Sequence, residues 1–214
     1  MSRIQSPQSP SNTGVQQQHT TNGVARDEYS RPQPADSEKS SPSASPNDIR
    51  VVPQRDPKLG RIWQLTATQH LPRPVDEVFP FFADAHNLEE LTPKFLKFHV
   101  LTPKPIEMKS GTEIRYKLKV RGVPIKWKTS ILDWDPPHQF VDNQDSGPYA
   151  LWHHTHSFKP TDDGTGTICT DVVRYRPAGW IFAPIINKFL VQKDVQQIFR
   201  YRFKRLEEIF PPKP

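Results

Sequence analysis

A single cysteine in 214 residues leaves Cys169 without an intramolecular disulfide partner and without neighbours at zinc-binding spacing, which fits a reducing compartment. No apolar run approaches the roughly 20 residues that a membrane-spanning helix requires, the longest lying around "WIFAPII". The opening "MSRIQSPQSP" has no apolar core of a secretion signal. These absences make a soluble, cytoplasmic protein the expectation. Aromatics are also nearly missing from residues 1–58, where Tyr29 stands alone among eight prolines, ten serines and seven glutamines. Such a composition buries too little apolar surface to offset chain entropy, so 1–58 is expected to be a disordered tail.

The remaining residues, 59–214, are long enough to bury roughly 70% of their extended surface and are expected to form one domain with room for a cavity. The formal charge of +6 divides into +1 for the tail and +5 for the domain. "RIWQLTATQH" (61–70) alternates as a first strand, and Pro72 and Pro74 stop it. A helical pattern follows from Pro74 to about Leu91, with Pro80 expected to kink it or divide it in two. Strand patterns then run through "FLKFHVLTP", "TEIRYKLKVR", "PIKWKTSILDW", "QFVDNQ", "YALWHHTHSFKP" and "GTICTDVVRYR". From Ile185 onward, Phe189, Gln192, Gln196, Phe199, Phe203, Leu206 and Phe210 recur at three and four residues, the stripe of a long amphipathic helix.

Two turn signals propose which residues share a face. Gly122 in "RGVP" suits a two-residue hairpin pairing Arg121 with Pro124, which sets Leu118 opposite Trp127 and Tyr116 opposite Thr129. The other face then carries Arg115, Lys117, Lys119, Arg121, Lys126 and Lys128. Asp163-Gly164 suits a second turn, setting Phe158 opposite Cys169, His156 opposite Asp171, His154 opposite Val173 and Trp152 opposite Tyr175. One face thus gathers Trp152, His154, His156 and Phe158, with a carboxylate within hydrogen-bonding reach of one imidazole. Unpaired polar groups buried there would cost about 1 to 3 kcal/mol each, so partners, water or a polar ligand must satisfy them.

The motifs "P-x-x-x-V-F-x-F-F" (74–82), "N-L-x-x-L-T-P" (87–93), "F-V-D-N-Q-x-x-G-P-Y-x-x-W-x-H-x-H-x-F" (140–158) and the closing "I-F-x-Y-R" resemble the ligand-binding SRPBCC proteins of the START and polyketide-cyclase superfamily, over roughly residues 60–210. The resemblance implies an α+β helix-grip fold, a curved antiparallel sheet around a long C-terminal helix with a cavity between them. Its motif positions fall on Trp127, Asp142, Gln144, Trp152, His154, His156, Asp171 and Tyr175. Pro80 departs from the usual apolar residue. A four-residue loop between Gln144 and Tyr149 would put Asp142 on the face opposite His154, and a bulge would be needed to bring it back.

The expected ligand-binding set is Tyr116, Trp127, Asp142, Trp152, His154, His156, Asp171 and Tyr175, around a hydrophobic or amphipathic small molecule. An enzyme of the cyclase or dehydratase type, with His156 carrying a proton and Asp171 orienting it, is the first alternative. An adaptor that binds a macromolecule through the basic face or the tail is the second. His154-x-His156 could offer two ligands to one metal, but it lacks the tight spacing of zinc motifs, and neither metal nor cofactor is expected. No aromatics interleave the basic face as base-stacking platforms, so it is read as solvated, and nucleic acid is not an expected partner. "AGWIFAPII" is read as packing at the helix start, with a membrane-dipping or cavity-gating role as the alternative.

Overall fold

A computed structural model describes residues 47–179 and 182–213. Residues 1–46 of the tail expected over 1–58, the pair Trp180 and Ile181, and Pro214 lie outside the described residues. Eight strands form one antiparallel sheet: β1 (Asn47–Asp56), β2 (Gly60–Leu71), β3 (His99–Val100), β4 (Glu113–Val120), β5 (Val123–Asp135), β6 (Gln139–Ser146), β7 (Tyr149–Pro160) and β8 (Thr167–Pro177), in the order β1-β2-β8-β7-β6-β5-β4-β3. Between β2 and β3 lie α1 (Val75–Ala83) and two 3₁₀ turns (Ala85–Glu89 and Lys94–Leu96). After β8 the chain forms α2 (Ala183–Ile186), a π-helical turn (Asn187–Val191) and α3 (Gln192–Ile209). This is the helix-grip α+β arrangement.

β1 corrects the expected tail boundary. It pairs with β2 from Asn47↔Gln69 to Asp56↔Gly60, although residues 47–58 share the polar, proline-containing composition of what precedes them. An edge strand pairs on one side only and needs little burial of its own, and Pro53 is tolerated there. The Asp56 carboxylate closes the turn into β2 by accepting from the Lys58 and Leu59 amides at 3.0 and 2.8 Å.

"FLKFHVLTP" is mostly not strand. Pro93 opens a 3₁₀ turn, Lys97 takes a left-handed conformation at φ 44°, and only His99 and Val100 pair, with β4. Pro80 lies inside α1, which continues as one helix to Ala83. The last helix departs from its predicted stripe at the start. A π turn carries one residue more than an α turn and so rotates what precedes it. Ile185 and Phe189, expected inside, are therefore exposed, while Val195, Phe199, Phe203 and Leu206 keep the buried phase.

Phe79, Phe140, Phe158 and Leu206, from α1, β6, β7 and α3, pack one part of the core together with Phe210, just past the end of α3. Trp63, Leu65, Tyr175, Val195, Phe199 and Phe203 pack another, between β2, β8 and α3. The two cores clamp the C-terminal helix against β2, β7 and β8, and the sheet continues beyond it as β6, β5 and β4.

The hairpin β7/β8 has the register read from the sequence, with Phe158↔Cys169, His156↔Asp171, His154↔Val173 and Trp152↔Tyr175. The hairpin β4/β5 does not. Tyr116 pairs with Trp127 and Leu118 with Ile125, because the two turn residues are Arg121 and Gly122, at φ 50° and 85°, rather than Gly122 and Val123. The slip is two residues, so each side chain keeps its face. Two successive positive φ values identify a type I′ turn, which demands glycine or a tolerant residue. A Cβ on Gly122 would meet nothing within 4 Å, so its cost is purely conformational. Gly122→Ala is expected to lower stability by about 1 kcal/mol in urea unfolding; an unchanged midpoint would refute this account of the turn.

Candidate functional site

The alternation of β7 delivers His154 and His156 to the same inner face, buried at 4% exposure each. β8 brings Asp171 across from them and β6 brings Asp142, which pairs with His154. The sequence-based loop count had turned Asp142 away. The connection from β6 to β7 is irregular, so the observed pairing differs by an odd number of residues and returns Asp142 to the inner face. Gln144 shapes this connection. Its amide donates to the Tyr149 carbonyl at 2.8 Å, and its oxygen accepts from the Tyr149 amide at 3.3 Å. A Cβ on Gly147 would lie 2.5 Å from the Gln144 Oε1, so a larger residue there would push the Gln144 side chain out of these two hydrogen bonds.

α3 supplies the member that the sequence analysis missed. Arg202 lies three residues after Phe199 and four before Leu206, on the helix's buried stripe, and is itself buried. A charged residue at the apolar period of an amphipathic helix was the available signal.

These five side chains form one cluster. His156 Nε2 lies 3.0 Å from Asp142 Oδ2, and His154 Nε2 lies 2.9 Å from Asp171 Oδ1. His156 Nδ1 approaches the same Asp171 oxygen at 2.8 Å but is not aligned for a hydrogen bond. Arg202 reaches Asp171 Oδ2 at 3.5 Å. The pair predicted as His156 with Asp171 is thus a close electrostatic contact, and Asp171 is hydrogen-bonded to His154 and Arg202. The imidazoles lie 3.7 Å apart between ring centroids with their planes tilted by 35°, Phe140 stacks on His156 at 4.1 Å and Phe199 stands edge-on to His154 at 5.9 Å.

Two imidazoles this close cannot both be charged cheaply. Burial, followed by the charge of His156, pushes His154 down to about 4. For His156, burial also opposes the charge, but the two carboxylates outweigh it and raise its value above that of an ordinary histidine. Burial would raise Asp171 too, yet the charges of His156 and Arg202 and the hydrogen bond from His154 hold it well below the usual carboxylate range. Asp142 is lowered for the same reason, burial being overcome chiefly by the hydrogen bond from His156. Two carboxylates therefore face two cations, His156 and the permanently charged Arg202, with His154 neutral.

The cluster borders a cavity of about 390 Å³ between the sheet, α1 with its following turn, and α3. Tyr116, Trp127, Asp142, Trp152, His154 and His156 line it, as does Arg202. Asp171 stands behind the two histidines and does not line the cavity. Tyr175 is fully buried in the core, between the rings of Trp63 and Trp152 at 6.2 and 6.1 Å. Trp127 and Trp152 meet edge to face at 5.4 Å, and the Trp127 indole donates to the Thr129 hydroxyl at 3.0 Å. The Tyr116 hydroxyl is kept neutral, since burial and then the charge of Asp142 both raise it. Asp142, His154 and His156 bring ligand atoms within 4.8 Å of one another. A metal there would have to displace the His156–Asp142 hydrogen bond, with the Arg202 guanidinium already on the adjoining Asp171.

The cluster imposes a bell-shaped dependence of stability on pH. Between about 4 and 6.5 the unfolded chain protonates His154 and the folded chain does not, so stability rises with pH, and half-buried His153, also lowered by burial, adds to that limb. Above 6.5 the folded chain keeps a His156 proton that the unfolded chain releases, so stability falls until the raised His156 value is passed. Thermal unfolding across pH is expected to peak near 6.5. Asp171→Asn, which leaves two buried cations facing one carboxylate, is expected to cost about 3–5 kcal/mol at that pH and to flatten the falling limb. An unchanged falling limb in that variant would contradict the assignment of the charge to His156.

The geometry agrees with what comparison with known proteins shows. The family model described as polyketide cyclase/dehydrase and lipid transport matches residues 63–210. TTHA0849 from Thermus thermophilus is similar in structure, at a TM-score of 0.51 and 25% identity, covering 68% of this chain and 94% of that one. The Zhui aromatase/cyclase from Streptomyces sp. R1128 superposes at a TM-score of 0.55 with 18% identity, covering 69% of this chain and 93% of that one. A START superfamily protein from Mycobacterium smegmatis does so at 0.52 with 13% identity, covering 68% and 98%. At such identities the last two similarities speak to fold alone. No curated protein matches the chain. Among the described residues no helix is long and apolar enough to cross a membrane. By the match over residues 63–210, the chain belongs to the polyketide cyclase/dehydrase and lipid transport family.

Proposed function

We propose that this protein binds a hydrophobic or amphipathic small molecule, lipid-like or polyketide-like, in the cavity between sheet and C-terminal helix. The observation that carries the reading is the make-up of the cavity lining, which sets Asp142, His154, His156 and Arg202 among mostly aromatic and aliphatic side chains, including Trp127, Trp152, Leu118, Ile125 and Ile131. Concave sites that hold small ligands combine these features, apolar area for affinity and a few placed polar groups for orientation. The cluster's internal charge balance favours a ligand whose polar end forms hydrogen bonds without adding net charge. His154, His156 and Arg202 would receive that end, with Asp142 and Asp171 holding them in place.

A cyclase or dehydratase is the second reading, favoured by the presence of an imidazolium at the cavity wall. His156 would act as the acid. Its proton already lies between two carboxylates, an arrangement that stabilises charge more than it promotes transfer, which is why binding is preferred.

Titration of the full chain with Nile red, followed by fluorescence, tests the cavity. Saturable binding is expected, with about tenfold weaker affinity in Trp152→Ala, the loss of about 1.4 kcal/mol of aromatic contact. His156→Gln is expected to keep Nile red binding. Loss of turnover of a polyketide-like chain in His156→Gln, with dye binding intact, would establish the enzyme instead, and affinity unaffected by Trp152→Ala would remove the cavity from the account.

A further inference from the structure

We propose that the mouth of the cavity is a docking surface for an anionic lipid bilayer. The cavity-lining residues Phe95, Arg121 and Leu190 are also exposed, so they mark the entrance. They belong to three segments from different parts of the chain: the 3₁₀ turn before β3, the tip of the β4/β5 hairpin, and the stretch from α2 through the π turn into the start of α3. Each presents large apolar side chains to solvent. Phe95 and Val123 are 56% and 61% exposed, and Phe182, Ile185, Phe189 and Leu190 range from 42% to 64%. Isolated exposed apolar residues need no explanation, but six on the segments that form one opening are a patch.

Charge selects what covers it. The same three segments carry exposed Lys94, Lys97, Lys119, Lys126, Lys188 and Lys193. Their one carboxylate, Asp194, is matched by Arg121 at 3.0 Å across the entrance. A second copy of the chain docked on this face would bring two sets of unbalanced lysines together, which like-charge juxtaposition opposes. An anionic membrane surface accepts both components: the apolar side chains enter the interface and the lysines stay among the headgroups. The π turn is the reason that the patch exists, since it rotates Ile185 and Phe189 out of the core-facing stripe continued by Val195 and Phe199.

A bilayer bound there would face the cavity entrance, placing an amphipathic molecule's source or destination against the opening. The docking itself does not depend on what the cavity holds, so it survives if the ligand reading fails.

The test is co-flotation of the full chain with vesicles of phosphatidylcholine alone and of phosphatidylcholine with phosphatidylglycerol. Binding is expected to the anionic vesicles, to weaken with added salt, and to fall at least about tenfold in the double variant Ile185→Ser, Phe189→Ser and in the double variant Lys188→Glu, Lys193→Glu. All four side chains are exposed, so both variants should unfold at the wild-type temperature, and this control is measured alongside. Equal binding to both vesicle types, binding that the serine variant leaves intact, or absence of binding would overturn the proposal. A dimer in sedimentation equilibrium that the serine variant dissociates would also overturn it, by assigning the patch to self-association.

Discussion

The structure depends on neutralising buried charge. Two carboxylates, a pair of imidazoles of which His156 is the one whose charge is favoured, and a guanidinium meet at and just behind a cavity wall that is mostly aromatic and aliphatic. Any one of them buried alone would cost several kcal/mol, and the interior accepts them because they arrive together. They come from four elements, Asp142 on β6, His154 and His156 on β7, Asp171 on β8 and Arg202 on α3. The sheet register and the docking of the last helix must therefore be correct at the same time. A one-residue slip in either hairpin would send a carboxylate to the far face and strand its cationic partner.

The same constraint links fold to chemistry. The curved sheet and the gripping helix leave a space that apolar side chains do not fill, and the cluster gives that space a polar site. Phe140 and Phe199 pack against the two imidazoles. A family that includes both cyclases or dehydrases and lipid transport can be built on this plan, because the scaffold supplies a shaped, oriented pocket and leaves the reaction to particular residues. Here the charges neutralise one another, which suits holding a molecule in one orientation. Phe95, Arg121 and Leu190 line the same cavity and are exposed, and so mark its opening.

How much of this was legible depended on parity and on turns. The β7/β8 register could be read because an Asp-Gly turn and a strict alternation from Trp152 to Phe158 agreed. The β4/β5 hairpin was misplaced by two residues, an even slip that left Tyr116 and Trp127 on the correct face. Asp142 was turned away because the irregular connection around Gln144 and Gly147 changes the count by an odd number, and bulges leave little trace in sequence. β1 was hidden by its polar composition, since an edge strand needs few buried residues. Arg202 interrupts an apolar stripe, and periodicity alone does not mark such a residue as part of a site; an α-helical period likewise puts Ile185 and Phe189 inside because it cannot foresee a π turn.

The most direct test of the central claim is native mass spectrometry of the purified full chain, followed by denaturing extraction of anything it carries. The account predicts a bound small molecule with an extended apolar body and one uncharged polar end, released on denaturation and absent when the Trp152→Ala protein is prepared in parallel. A protein that emerges empty, and that no lipid or polyketide-like compound stabilises against heat, would contradict it and leave the histidine and aspartate cluster a purely structural feature.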